Sequence, residues 1–223
     1  MLSKIFSILF SLPRIIWFNL RYLPFNQALK LPILIAPNVR IKKLYRGGII
    51  LKNVQFNSCH IGFHCADAVD CYGCHTIVCI EKGGKWIIEN DIHIGRGAII
   101  HIKPEATLSV GKNFAISGTT SIICSKDIQI GKDVQFSWNS LAMDSDAHKI
   151  YSQDGKISNP DSPVVIGNKV WIAANTTILK GSEIKDNCIV ACNSMVNKAI
   201  KEDNCIIAGS PAKAIKTISH WEI

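Results

Sequence analysis

The residues best suited to chemistry lie in one polar segment of the sequence, residues 142–165, which reads AMDSDAHKIYSQDGKISNPDSPVV. His148 follows two carboxylates there, Asp144 and Asp146. An imidazole that is neutral at physiological pH can act as a general base, and a nearby carboxylate can fix its tautomer. The segment therefore offers a candidate base and two candidate orienting groups. On spacing alone, a solvated loop histidine without a role is the alternative.

A second group of reactive side chains combines cysteines and histidines, which are common zinc ligands in tetrahedral sites. Cys71 and Cys74 form a C-x-x-C pair, but no second such pair completes a recognised zinc spacing. Cys59, Cys65 and Cys71 are six residues apart, and a buried cysteine can pack as a small hydrophobe. We therefore interpret the group as core packing and expect no metal. Its members are Cys59, His60, His64, Cys65, Cys71, Cys74, His75 and Cys79.

The scaffold that must position these residues has its clearest signature in residues 166–200, IGNKVWIAANTTILKGSEIKDNCIVACNSMVNKAI. An aliphatic residue recurs there every six positions, and the residue four places later is mostly small. This period is neither that of a helix nor that of a simple strand, and it indicates the hexapeptide repeat of a parallel β-helix. The recurring aliphatic residues are Ile166, Ile172, Ile178, Ile184, Val190 and Val196. The residues four places later are Val170, Thr176, Ser182, Cys188, Ser194 and Ile200.

Three hexads close a triangular coil of about eighteen residues, so residues eighteen apart should stack on successive coils. Less regular repeats over residues 47–141 bring the expected total to about seven or eight coils. Continuing the six-residue phase through the polar segment would place His148, Asp154 and Pro160 inside the prism, where they cannot form a coil. Residues 142–165 are therefore expected to be extruded as a loop. The predicted stacked pairs are Ile166–Ile184, Ile172–Val190 and Ile178–Val196.

The N-terminal segment, residues 1–45, is apolar, aromatic and basic together. Residues 1–66 contain nine Lys/Arg and no Asp or Glu, whereas the rest of the chain is close to neutral. Pro13 is expected in the first turn of a helix that ends before Pro24, with a short second helix after it. The uncharged stretches are too short for a membrane span. Two compatible interpretations stay open: a cap on the open end of the solenoid, and an amphipathic helix on an anionic membrane surface.

Three ordered motifs between Phe136 and Lys216 carry a resemblance to a known family: DSDAHKI, PVVIGNKVWIAANTTILKG and IIAGSPAKAIK. The stretch is similar to the hexapeptide-repeat O-acetyltransferases, which include maltose and galactoside acetyltransferases and enzymes of capsule and exopolysaccharide synthesis. The resemblance implies a left-handed β-helix and a homotrimer with active sites between subunits. It also implies direct acetyl transfer from acetyl-CoA to a hydroxyl group, without an acyl-enzyme.

The resemblance suggests roles for individual residues as well. His148 corresponds to the catalytic base, and Trp171 to the tryptophan at the pantetheine end of the cofactor groove. Ala174 and Cys192 are eighteen residues apart, so they should lie on one line along the β-helix axis. Lysines among the matched positions suit CoA phosphates, although solvated tail lysines are the alternative. The positions that match cofactor-binding residues are Ala174, Cys192, Asn197, Lys198, Lys213 and Lys216. The candidate acceptor-side residues, one coil earlier, are Trp138, Asn139 and Ser140.

These observations predict an all-β protein, with a left-handed parallel β-helix over residues 46–216, helices within 1–45 and a tail at 217–223. The expected function is acetyl-CoA-dependent O-acetylation of a sugar hydroxyl in capsule, exopolysaccharide or lipopolysaccharide biosynthesis. The nine cysteines, an odd number without a secretory signal, favour a reduced, cytoplasmic chain. Residues 1–45 could bring it to the cytoplasmic face of the inner membrane. We expect a sugar or polysaccharide precursor as acceptor and no nucleic-acid partner.

Three alternative functions stay open. An amino-sugar N-acetyltransferase would share the scaffold and the donor. A carbonic-anhydrase-like metalloenzyme would need three convergent histidines, for which His75, His93 and His101 are the candidates. A non-catalytic β-helix could serve as an assembly scaffold, and acetyl-CoA would then not stabilise it.

Overall fold

The computed structural model describes residues 2–63, 66, 71 and 73–222, with side chains from Ser11 onward. Its strands form three parallel sheets, and strands three places apart along the chain pair with each other. The chain therefore winds as a triangular coil. This is the left-handed parallel β-helix that the six-residue repeat and the resemblance predicted.

Each of the three sheets forms one side of the prism. The first sheet consists of β1 Ile33–Ile35, β4 Cys59–Ile61, β7 Ile92–Ile94, β10 Phe114–Ile116, β13 Gln135–Phe136, β16 Trp171–Ile172, β19 Ile189–Val190, β21 Cys205–Gly209 and β22 Ala212–Thr217. The second sheet consists of β2 Val39–Lys43, β5 Thr76–Ile80, β8 Ile99–Ile102, β11 Ser121–Cys124, β14 Leu141–Met143, β17 Thr177–Ile178 and β20 Met195–Val196. The third sheet consists of β3 Ile49–Leu51, β6 Lys85–Ile88, β9 Thr107–Val110, β12 Asp127–Ile130, β15 Val164–Ile166 and β18 Glu183–Ile184.

The hexad residues fill the prism as the repeat predicts. Their aliphatic side chains are buried, and each fully buried one contributes about 1.5–3 kcal/mol of hydrophobic stabilisation. Small residues turn the corners, where the Ser182 hydroxyl donates to Val196 O (2.9 Å) and the Thr176 hydroxyl donates to Ala173 O (2.7 Å). The strand register confirms the predicted stacks, in which the partners are Ile166–Ile184, Ile172–Val190 and Ile178–Val196.

The number of coils follows from the order of the strands. Strands β1–β18 make six coils of three strands, and β19 and β20 continue into a seventh. Ala199 completes that coil through a parallel bridge to Glu183. β21 begins the next coil, and β22 turns back antiparallel to it and ends the sheet. The coil count agrees with the predicted seven or eight.

The extruded loop interrupts the coil between β14 and β15. Ile130 pairs with Ile166 across it, a separation of thirty-six residues (166 − 130), whereas Ile166 and its partner Ile184 on the next coil are eighteen apart (184 − 166). Ala142 is buried in β14 and Val164 is buried in β15. The loop is therefore residues 144–163, two residues shorter at each end than predicted, because the flanking pairs stay in the strand ladder.

The N-terminal segment consists of two helices, α1 Leu2–Tyr22 and α2 Phe25–Ala28. The predicted helix end before Pro24 and the short second helix are confirmed, but Pro13 lies inside α1 rather than in its first turn. The β-helix begins at Ile33, inside the segment 1–45, because the apolar residues of β1 pair with β4. The helical part is thus shorter than the sequence suggested.

The cysteines of the described chain lie mainly in the core. Cys59, Cys124 and Cys188 are buried free thiols, and burial raises the pKa of Cys59 to about 11. Cys71 is disulfide-bonded, whereas Cys74 is free, which departs from the expectation of a fully reduced chain. Two further members of the predicted cluster, His64 and Cys65, lie outside the described residues.

Candidate active site

Asp144 anchors the first limb of the loop to the preceding coil. Its buried carboxylate accepts hydrogen bonds from three backbone N–H groups, those of Ser125 (2.6 Å), Lys126 (2.8 Å) and Asp127 (2.7 Å). Burial, and then the charge of Asp144, raise the pKa of the neighbouring Cys124 thiol. Because backbone donors occupy its carboxylate, Asp144 holds the loop in place rather than contacting the candidate base.

Asn159 joins the two limbs of the loop next to His148. Its side-chain amide group donates to the backbone carbonyl of His148 (2.8 Å) and to the carboxylate of Asp146 (2.8 Å). Its side-chain oxygen accepts a hydrogen bond from the backbone N–H of Ile150 (2.7 Å). One side chain therefore holds the main chain at and just beyond the candidate base.

Lys180 connects this arrangement to the β-helix. It follows β17 at the corner between the second and third sheets, and its ammonium group donates to Asp146 (2.6 Å) and to Asn159 O (2.9 Å). The hydrogen bond from Lys180, followed by that from Asn159, lowers the pKa of the Asp146 carboxyl below its ordinary value. We call Asp146, Asn159 and Lys180 the loop clamp.

The side chain of His148 itself is exposed, which leaves it accessible to a bound substrate. In the part of the chain that the structure describes, no hydrogen bond joins its ring to Asp144 or Asp146. The Asp144 carboxylate instead accepts from the main chain of the preceding coil, and the Asp146 carboxylate accepts from the side chains of Asn159 and Lys180. Asn159 and Lys180 are not predicted by the sequence, because an amide in a polar loop and a lysine after a hexad belong to no recognised pattern.

Trp171 and two of the predicted cofactor residues lie on a different side of the prism. Trp171 is partly exposed on the first sheet, and its indole N–H donates to the hydroxyl of Ser137 (3.1 Å). Ala174 and Cys192 follow at the corner between the first and second sheets, on successive coils, where Asn193 N donates to Ala174 O (3.2 Å). The single line predicted for Ala174 and Cys192 agrees with this register, and Cys192 is exposed.

The remaining predicted cofactor residues are all exposed but lie in two other places. Asn197 and Lys198 follow β20 at the corner between the second and third sheets, one coil after Lys180. Lys213 and Lys216 lie on β22, at the C-terminal end of the first sheet. One chain therefore places Lys198 and the His148 loop at the corner between the second and third sheets. Trp171, Ala174 and Cys192, which we call the Trp171 line, lie on or beside the first sheet.

The C-terminal tail covers part of the first sheet next to Trp171. The Trp221 ring lies 6.2 Å from the Trp171 ring, centroid to centroid, at an interplanar angle of 39°. Its indole N–H donates to Lys169 O (2.8 Å), and Asn187 holds the tail through Ser219 O (2.9 Å). The sequence predicts residues 217–223 only as a tail. The one available signal was a tryptophan within the C-terminal segment TISHWEI.

The three acceptor-side candidates differ in their exposure. Trp138 is half-buried, and Asn139 is exposed with its side-chain oxygen accepting from the Thr119 hydroxyl (2.7 Å). Ser140 is buried, and its hydroxyl donates to Ala173 O (3.1 Å). Ser140 therefore occupies the small corner position of its hexad, which favours a packing role over contact with a substrate.

A cavity of about 420 Å³ lies on the outer face of the first sheet. The strand register places its residues His93, Ala115 and Gln135 in one outward row, and Trp171 follows Gln135 in that row. The cavity thus continues the Trp171 line toward the N-terminal coils. Its lining residues are His60, Phe63, His93, Ile94, Ala115, Ile116, Ser117 and Gln135.

The three histidines considered for a metalloenzyme do not converge. His75 contacts Arg40 (2.7 Å), His93 lies on the first sheet beside His60, and His101 lies on the second sheet. Among the described residues, one group of possible ligand atoms lies within 4.8 Å of one another, and it consists of Cys79, Glu81 and His101.

That group is held by an ion pair. Glu81 accepts from Lys43 (2.5 Å) and lies 3.1 Å from the ring of His101, and the hydrogen bond from Lys43 lowers the pKa of Glu81 most. Burial raises the pKa of the Cys79 thiol, which disfavours the thiolate that a metal would need. The arrangement is explained as a polar network on the surface of the second sheet.

Comparison with known proteins agrees with the geometry. The family described as "Bacterial transferase hexapeptide (six repeats)" matches residues 163–198. A relative, an uncharacterized 24.8 kDa protein in the cps region of Klebsiella pneumoniae, is 30% identical over 202 residues, covering 91% of this chain and 86% of that protein. The protein WbbJ of Escherichia coli K12, provisionally described as a lipopolysaccharide biosynthesis O-acetyl transferase, is 32% identical over 49% of this chain and 62% of its own length.

The fold also resembles that of solved structures. The crystal structure of the polySia specific acetyltransferase NeuO superposes with a TM-score of 0.58, covering 86% of this chain and 89% of that one. The sequence identity in that comparison is 20%, so the similarity concerns the fold. The sequence relatives and this fold point to the same family of transferases.

Proposed function

Because this chain belongs to the hexapeptide-repeat acyltransferase family, we propose that it transfers an acetyl group from acetyl-CoA to a sugar hydroxyl, with His148 as the general base. The observation that carries the proposal is the loop clamp, which fixes the main chain around an exposed histidine. A loop histidine without a function would not need its backbone held by Asn159 and, through Asn159, by Lys180.

In the proposed reaction His148 takes up one proton from the acceptor and later gives one proton to the leaving group. Its neutral imidazole accepts the proton of the acceptor hydroxyl while the oxygen attacks the thioester carbonyl of acetyl-CoA. A C–O bond forms, the C–S bond breaks, and the imidazolium returns its proton to the departing CoA thiolate. No acyl-enzyme is required, so the reaction needs the donor and the acceptor bound together.

A complete site requires more than one copy of the chain in this proposal. His148 and Lys198 lie at the corner between the second and third sheets, whereas Trp171 and Cys192 lie on or beside the first sheet. One prism cannot bring two of its own edges together. A homotrimer, in which the loop of one copy meets the Trp171 line of the next, would join them and form three sites.

The acceptor would occupy the cavity on the first sheet. Its imidazole, amide and hydroxyl groups, from His93, Gln135 and Ser117, can exchange hydrogen bonds with sugar hydroxyls, and Phe63 offers an apolar face. The relatives include proteins described for lipopolysaccharide and polysialic acid O-acetylation, which supports a polysaccharide or lipid-linked precursor as the acceptor. The donor is a cytoplasmic metabolite, so we place the reaction in the cytoplasm.

Replacing the base tests the mechanism. The His148→Ala variant should lose roughly 10²- to 10⁴-fold in kcat, the range expected for removal of a general base. Lys149→Ala, an exposed neighbour on the same loop, is the matched control and should keep full activity. Wild-type activity in His148→Ala would remove the mechanism.

Thermal shift with acetyl-CoA separates an enzyme from a scaffold. Both His148→Ala and the wild-type protein should be stabilised by the donor, since a ligand that binds only the folded state raises its stability. Comparing each acceptor sugar with the amino sugar that carries an amine in place of one hydroxyl then distinguishes O-acetylation from N-acetylation. Absence of any shift would favour the scaffold alternative.

A further inference from the structure

Helix α1 has two apolar faces, and only one of them packs on the β-helix. Ile15 and Phe18 are fully buried against the first coil, with α1 lying on β1. Leu12, Ile16 and Leu20, spaced four residues apart, lie together on another face and are 39–42% exposed. A cap needs one apolar face, and the second face stays exposed in the part of the chain that the structure describes.

Polar contacts fix the orientation of the helix and keep the second face outward. Asn19 is buried and exchanges hydrogen bonds with the backbone of Ile33, accepting at 3.2 Å and donating at 2.8 Å. The Arg14 guanidinium donates to the carbonyls of Pro37 (2.8 Å) and Val39. Because these bonds lock one side of α1 onto the β-helix, the exposed side cannot rotate inward.

Large exposed apolar side chains are also present at Trp17 and, beyond α1, at α2. Trp17 is 52% exposed, and Phe25 and Leu29 at α2 are each 64% exposed. We call the six residues the outer apolar face: Leu12, Ile16, Trp17, Leu20, Phe25 and Leu29. Large exposed apolar side chains concentrated in one short segment are typical of a contact surface rather than of ordinary solvent-exposed structure.

The charge around the outer apolar face identifies its partner. Arg21, Lys30 and Lys42 are exposed nearby in sequence, and the ion pairs of the described chain do not include them. Residues 1–66 contain nine basic and no acidic residues. Large apolar and aromatic side chains beside basic ones fit a helix lying in the headgroup region of an anionic bilayer.

We propose that α1 and α2 dock the protein on an anionic membrane surface through the outer apolar face, with the helices parallel to the bilayer. None of the described helices is long and apolar enough to cross a membrane, so the docking is peripheral. Both earlier interpretations of the segment then hold, because opposite sides of one helix cap the solenoid and meet lipid. If the proposed function is correct, docking also places the enzyme next to lipid-linked acceptors.

Vesicle sedimentation tests the docking without any acetyl transfer. The wild-type protein should bind phosphatidylglycerol-containing vesicles and bind neutral phosphatidylcholine vesicles far less. Trp17→Ser with Leu20→Ser should reduce binding at least about tenfold. Ile50→Ser, an exposed apolar residue on the outer side of β3, is the matched control and should bind as wild type. Equal binding by all three proteins would overturn the proposal.

The electrostatic part has its own variant and control. Arg21→Gln with Lys30→Gln should weaken binding to anionic vesicles about 25-fold, since each basic residue near such a surface contributes roughly fivefold. Lys82→Gln with Lys201→Gln, exposed lysines outside the segment, should have no effect. Equal losses in both pairs would overturn the specific surface, because any positive charge would then suffice.

A spectroscopic measurement keeps the proposal testable if a variant folds poorly. Brominated lipids should quench more tryptophan fluorescence in the wild-type protein than in Trp17→Phe, which retains an aromatic ring. Identical fractional quenching would overturn the proposal. So would a change in oligomeric state on replacing Trp17 and Leu20, because the face would then be an interface between copies. Acetylation of a soluble acceptor by Trp17→Ser/Leu20→Ser should match wild type, which separates this proposal from the reaction.

Discussion

The loop clamp makes a quantitative prediction for Asn159→Ala. This substitution removes two hydrogen bonds to the main chain around the base, one to His148 O (2.8 Å) and one from Ile150 N (2.7 Å). Each net hydrogen bond contributes about 0.5–1.5 kcal/mol, and the lower part of that range applies in a solvent-exposed loop. The ordered loop should therefore lose about 1–1.5 kcal/mol relative to its alternatives. That corresponds to roughly a tenfold decrease in kcat.

The expected decrease has a specific kinetic form. Asn159 contacts neither donor nor acceptor in the proposal and positions His148 only through the backbone, so kcat should fall while the KM for acetyl-CoA stays constant. Asn159→Asp should restore little of the loss, because it keeps the acceptor for Ile150 N but no longer donates to His148 O or Asp146. Steady-state kinetics with both substrates varied provides the measurement.

Ser152→Ala is the matched control on the same loop. Its hydroxyl donates to Lys156 O (2.9 Å) and to Asp154, in the outer part of the loop away from the clamp. It should retain wild-type kcat and the same melting temperature as Asn159→Ala. The reasoning is refuted if Asn159→Ala keeps wild-type kcat, or if Ser152→Ala loses as much.

Two further predictions concern the Trp171 line, where the cofactor is proposed to bind, and the pH range in which the loop clamp is intact. Cys192 is an exposed free thiol on that line, so acetyl-CoA should slow its alkylation by a maleimide severalfold while leaving the partly exposed Cys74 unaffected; mass spectrometry of labelled peptides gives both rates. Equal rates with and without acetyl-CoA would contradict the assigned groove. The pKa of Asp146 is lowered by Lys180 and Asn159, so the clamp is complete above the ordinary carboxyl pKa of 3.8 and is lost only as the pH falls through the lower folded value. Cleavage of the loop by an acid-active protease should rise only in that acid range, and cleavage already high near neutral pH would argue against the ion pair.

Much of the fold could be predicted from the sequence because the hexad is a local rule with a direct structural meaning. Every aliphatic position from Ile166 to Val196 points into the prism, and a shift of one residue would turn them outward. The start of the β-helix was harder to place, since Ile33–Ile35 is a short apolar run without a complete hexad around it. The position of Pro13 inside α1 was also missed, because packing of Ile15 and Phe18 outweighs local propensity there.

The candidate site was predicted less completely, because its contacts join residues distant in sequence. His148 could be singled out by its chemistry and by the phase of the repeat. The contact between Lys180 and Asp146 joins residues thirty-four positions apart, and the sequence around either residue contains no motif that predicts it. Asp144 is close to His148 in the sequence, which suggested that its carboxylate orients the imidazole. In the structure that carboxylate accepts hydrogen bonds from backbone N–H groups instead.

The loop is attached to the β-helix by hydrogen bonds close to its two ends. Ser162 N donates to Asp144 O (3.1 Å), so the excursion begins and ends at two residues that are hydrogen-bonded to each other. Gly181 N donates to Pro163 O (3.0 Å), so the end of the loop is also hydrogen-bonded to the corner of the next coil. Because the strand ladder on both sides keeps its register, substitutions at loop residues that are not buried, such as Ser152 and Asn159, should leave the melting temperature nearly unchanged. A loss of kcat in Asn159→Ala can then be read as misplacement of His148 and not as partial unfolding of the β-helix.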